Sequence, residues 1–119
     1  MKLNNRALAM ATGIGAVLQL SMATVGHSNP DVRNLFAVGG MGLSLIAGIL
    51  YTVISTEVIT RDNILGGLIA GAVGAFVGIS ASYLLHDVAV NILFIGTALS
   101  AVTGAIGGWI GRLFSSGRV

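Results

Sequence analysis

Long apolar runs alternate with short polar breaks along the whole chain. Residues 7–26, 35–56, 64–85 and 88–111 contain no Asp, Glu, Lys or Arg. Each run reaches the ~20 residues that cross a ~30 Å hydrocarbon layer at 1.5 Å per residue. The pattern predicts an all-α integral membrane protein in which four transmembrane helices, paired as two antiparallel hairpins, form one domain over residues 1–119. The first break, His27 to Asn34, holds the only proline, and Asn29-Pro30 reads as a turn from which Asp31 starts the next helix. In the second, Glu57 to Asn63, Thr60 or Asp62 is placed to cap the third helix. The third is only His86-Asp87, so the third and fourth helices must pair tightly.

Composition turns the solvent from water to lipid. Charged residues are 8% of the chain and apolar residues 55%, against about 25% charged in a soluble domain. Met1, Lys2 and Arg6 ahead of an apolar stretch and Ser21-Met22-Ala23 also fit a signal peptide. The apolar run continues through Val25, however, long enough to span, and is read as the first helix. The net charge of +2 forms no basic patch, so nucleic acid is not an expected partner. Its distribution sets topology: Lys2, Arg6, Arg61, Arg112 and Arg118 fall at one set of span ends and Arg33 alone at the other, which predicts both termini in the cytoplasm. The absence of cysteine excludes disulfides and thiolate metal sites.

Small residues recur every four positions on three spans. They are Gly40, Ser44, Gly48, Thr52 and Thr56; Gly66, Ala70, Gly74, Gly78 and Ser82; and Gly96, Ser100, Gly104 and Gly108. In lipid such stripes let backbones approach closely and gain dispersion, so they are the expected helix-packing residues, a glycine-zipper arrangement. The stripes of the third and fourth spans should meet each other, with Gly74 at their contact. Gly107 and Gly111 lie about 100° off the fourth stripe. With Arg112 they form the expected partner face toward a larger membrane complex or another copy of the chain. Similar residues around His27 and His86 and after Asn34 and Asn91 also suggest a duplicated two-helix hairpin.

Little chemistry is encoded beyond packing. His27 and His86 would lie at one depth, the outer one, where two imidazoles can ligate haem or chlorophyll magnesium; no other cofactor or metal site is expected. Gln19, mid-span, is expected to bond across helices, and Trp109 and Tyr83 to sit at the two membrane boundaries. No Ser-His-Asp set or central ionisable group appears, which argues against an enzyme and against ion-coupled transport. In size and span count the chain resembles the small multidrug resistance transporters, but residues 7–26 lack the glutamate that family requires. Dual-topology fluoride channels have similar dimensions, but their polar and aromatic filter motif is absent. The expected role is a non-enzymatic structural or accessory subunit. The alternative is a small oligomeric pore or carrier for an uncharged solute, lined by Ser44, Thr52, Ser80, Ser100 and Thr103.

Overall fold

A computed structural model describes residues 3–33, 35–55 and 60–115; Lys2, Asn34, Thr56, Glu57 and Arg118 lie outside them. The regular elements among the described residues are all helices, in the order α1 (Asn5–Ser28), α2 (Pro30–Arg33), α3 (Phe36–Ile54), α4 (Thr60–Leu84) and α5 (Val90–Ser115). Three of these helices, α1, α4 and α5, are long and apolar enough to cross a membrane. The fourth, α3, is shorter than its apolar run promised: its 19 residues span roughly 28 Å at 1.5 Å per residue, just under the ~30 Å of a hydrocarbon core.

The helix ends have local causes. Asn4 caps α1, its side chain accepting from the Ala7 N–H at 3.0 Å, which satisfies one of the orphan amides of the first turn. After α1, the Asn29 side chain accepts from the Asp31 N–H at 3.0 Å and turns the chain into α2, a single helical turn that the sequence pattern did not reveal. Thr60 and Asp62, expected as caps of α4, both lie inside the helix, with Asp62 in its first turn. At the other end of α4, His86 adopts φ 63°. Its N–H donates to Tyr83 O at 3.0 Å and the Asp87 N–H donates to Ser82 O at 2.9 Å. That pair of bonds is a Schellman cap, which usually has glycine at the left-handed position.

α4 packs most broadly on α5, α3 packs on both α4 and α5, and α1 packs on α3 and α4. α1 and α5 therefore sit at far corners of a diamond whose short diagonal joins α3 and α4. A symmetric duplication would give α1–α5 and α3–α4 equal contacts, and this arrangement does not. The bundle measures 46 × 22 × 20 Å.

Its interior is small and its surface large, the reverse of a water-soluble domain. Ala7, Ala11, Ala47, Tyr51 and Ala70 form the core cluster, whereas Val17, Val38, Leu84, Phe94 and Phe114 point outward. Trp109 and Tyr83 are also exposed.

Candidate functional site

Close backbone contact seals the end of the bundle that holds Asn4, Thr52, Asn63 and Arg112. A Cβ on Gly48 would strike Gly104 O and lie 2.8 Å from Gly108 N, and one on Gly108 would strike Asn63 O. α3, α4 and α5 thus meet backbone to backbone around Gly104 and Gly108. The Thr52 hydroxyl donates to Gly108 O at 2.9 Å, and the Asn4 N–H donates to the Tyr51 hydroxyl at 3.0 Å. The Tyr51 ring fills the space over Gly66. Asp62 and Asn63, from the polar break between the second and third apolar runs, are buried here.

The small residues of α4 serve different neighbours from those expected. Gly67 and Gly71, off the main stripe, meet α5: a Cβ on Gly71 would lie 2.8 Å from Ser100 O and 2.9 Å from Gly104 Cα. Gly74 faces α1 instead, where a Cβ would lie 3.3 Å from Ala16 N and Gly15 C, and Gly78 lies against Gln19. The α4 and α5 stripes therefore do not meet along their length, because α4 is enclosed by three helices and presents its main stripe to α1 and α3. Ala70 belongs to the core on that same side. Gly40 lies beside Gln19 and Met22 of α1, and Gly96 beside Ile79 of α4.

Gly107 and Gly111 do not form an outward face. A Cβ on Gly107 would strike Leu45 O, and one on Gly111 would lie 2.9 Å from Thr52 Cβ. Both pack on α3 of the same chain, since α5 rests in the groove between α3 and α4 and needs small residues on two sides. Arg112, on the same turn of α5, is half-buried.

At the other end, the bundle opens. A cavity of about 210 Å³ lies among all four long helices, its lining including Gln19, Ala23, Gly40, Gly78, Ser82 and Ser100. Met41 of α3 and Ile92, Ile95 and Leu99 of α5 also line it, and each of these is more than a third exposed. The opening therefore lies laterally between α3 and α5, with an apolar rim. Among the described residues, no Asp, Glu, Lys, Arg or His lines it.

Gln19 is 2% exposed, and its Nε2 donates to Gly40 O at 3.0 Å and Ser44 Oγ at 3.3 Å. Ser44 Oγ in turn donates to Gly71 O at 3.4 Å, linking α1, α3 and α4 at the cavity floor. Of the residues expected to line a pore, only Ser100 reaches this space. Ser44 and Thr52 tie helices together, Thr103 donates to Leu99 O of its own helix at 2.8 Å, and Ser80 is half-buried elsewhere.

The two histidines have separate local roles. His27 Nδ1 lies 3.0 Å from Asp87 Oδ2, fastening the end of α1 to the α4–α5 turn. His86 occupies the left-handed position of that turn. Among the described residues, no group of three or more His, Cys, Asp or Glu side chains is placed to hold a metal ion. Comparison of the chain with protein-family models, curated proteins and solved structures finds no match.

Proposed function

We propose that this chain is a non-enzymatic integral membrane protein that takes up an uncharged, largely apolar molecule from the outer half of the bilayer, as a small carrier. The observation that supports this reading is the cavity: it opens laterally through an apolar rim, carries no charged lining among the described residues, and is closed below by the backbone contacts of α3, α4 and α5. A charged ligand would lose its hydration there without compensation. The inside-out distribution of large and small residues supports insertion, with α3 crossing as a fourth span assisted by its flanking residues. Arg6, Arg61 and Arg112 belong to the sealed end and Arg33 to the open one, which favours a cytoplasmic sealed end and cytoplasmic termini.

The accessory-subunit reading remains the alternative, although the glycine pair proposed for its partner face is already covered by α3. Purification from the native membrane in mild detergent and reconstitution into vesicles separates the two. Saturable, protein-dependent exchange of a neutral fluorescent amphiphile between leaflets supports the carrier. A stoichiometric larger protein that co-purifies, with no such exchange, supports the subunit.

A further inference from the structure

Three hydrogen-bonding groups on deeply buried residues line the cavity with no protein partner among the described residues. Gln19 commits its Nε2 to Gly40 and Ser44, and the Gly40 carbonyl fixes which end of the amide donates, so Oε1 is left as an acceptor. The Ser82 and Ser100 hydroxyls make no side-chain hydrogen bond, although both residues are 3% exposed. A helical serine ordinarily returns its hydroxyl to the carbonyl four residues back, as Ser21 does to Val17 O at 2.8 Å. Nor is any of the three groups sealed off by protein atoms, as the Thr12 and Thr97 hydroxyls are. Buried polar groups in folded proteins are almost always satisfied, so what satisfies these three enters with the occupant of the cavity.

We propose that the cavity binds the hydroxyl-bearing end of a neutral amphiphile, with Gln19 Oε1 accepting from the hydroxyl and Ser82 and Ser100 completing its hydrogen bonds. This rests on the carrier reading above and names its ligand class. The apolar rim at Met41, Ile92, Ile95 and Leu99 carries the remainder of the molecule toward the bilayer. By proportion with the ~150 Å³ cavity that holds benzene, about 210 Å³ accommodates roughly eight nonhydrogen atoms. A phenol with a short alkyl chain, or the first carbons and hydroxyl of a prenol or acylglycerol, has that size and polarity.

The test uses the full chain in lipid nanodiscs with 4-ethylphenol and ethylbenzene, which differ by one hydroxyl, competing against a diazirine-bearing phenol whose crosslinks are mapped by mass spectrometry. Wild type should crosslink on cavity residues and prefer 4-ethylphenol about tenfold, the discrimination expected of about one net hydrogen bond. The double variant Ser82→Ala, Ser100→Ala gives up no hydrogen bond within the protein, so it should keep the wild-type thermal stability and lose most of the preference. Gln19→Leu should lose it too, with some loss of stability from the broken Gly40 bond. Lipids extracted from the purified protein separate the sources: a stoichiometric neutral hydroxylated lipid marks a bilayer ligand, and an empty extract with the phenol preference intact marks a diffusible one. Equal competition by the two probes would overturn the hydroxyl site and leave an apolar carrier cavity. Absence of saturable crosslinking would overturn both.

Discussion

Gly104 supports the most quantitative test of how the sealed end is built. A Cβ there would strike Gly67 O and come within 3.0 Å of Gly71 Cα, and backbone cannot swing aside as a side chain can. Gly104→Ala must therefore part α4 from α5 by up to about 1 Å, a gap that forfeits a quarter to a half of each van der Waals contact along the seam. With ~40 atom pairs at ~0.15 kcal/mol each, the loss is about 1.5–3 kcal/mol. The better helix propensity of alanine offsets about 1 kcal/mol, leaving a net destabilisation of about 0.5–2 kcal/mol. Gly13 is the control, since a Cβ there meets nothing within 4 Å; Gly13→Ala should be neutral or stabilising by up to about 1 kcal/mol. Reversible unfolding in mixed micelles, followed by helical circular dichroism, measures both. A Gly104→Ala variant as stable as wild type, or a Gly13→Ala variant equally destabilised, would refute the close-contact account.

Further expectations follow from single residues. His86→Gly removes the left-handed strain at φ 63° and should raise stability by about 1 kcal/mol in the same assay; a lowered midpoint would count against that strain. Tyr51→Phe leaves the Asn4 amide without its acceptor and should cost about 1 kcal/mol; an unchanged midpoint would remove that bond from the account. Because the chain has no cysteine, Asn29→Cys reports topology cleanly. It should react with an impermeant maleimide only from outside the cell, and labelling only from the cytoplasm would reverse the proposed orientation.

The four long helices were legible because ~20-residue uncharged runs have few other uses, and their ends shifted by only a few residues. Which faces meet was not legible. Periodicity marks a helix face as small without saying which neighbour lies on it, and α4, enclosed by α1, α3 and α5, is small on several sides. Gly67 and Gly71 consequently carry the α5 contact that the more conspicuous Gly66–Gly78 stripe seemed to promise. Gly107 and Gly111 were misread for the same reason, α5 having two neighbours rather than one. The cap at His86 was hidden by the absence of glycine in Tyr83-Leu84-Leu85-His86-Asp87. Ser82 looked like an ordinary member of a packing stripe, whereas Ser100 was expected both in a stripe and in a pore lining. Only the tertiary arrangement of the four long helices sets them at a cavity.

The central claim, a bundle open at one end and sealed at the other, is tested most directly by comparing Ser100→Cys with Thr52→Cys in proteoliposomes treated with N-ethylmaleimide. Ser100 lines the cavity, whereas Thr52 is 2% exposed and bonded across the seam to Gly108, so its modification requires local separation of α3 from α5. Ser100→Cys should react at least about tenfold faster, corresponding to an opening cost of ~1.4 kcal/mol or more at the sealed end, and excess 4-ethylphenol should slow it. Equal rates at the two positions, or faster modification of Thr52→Cys, would contradict the claim.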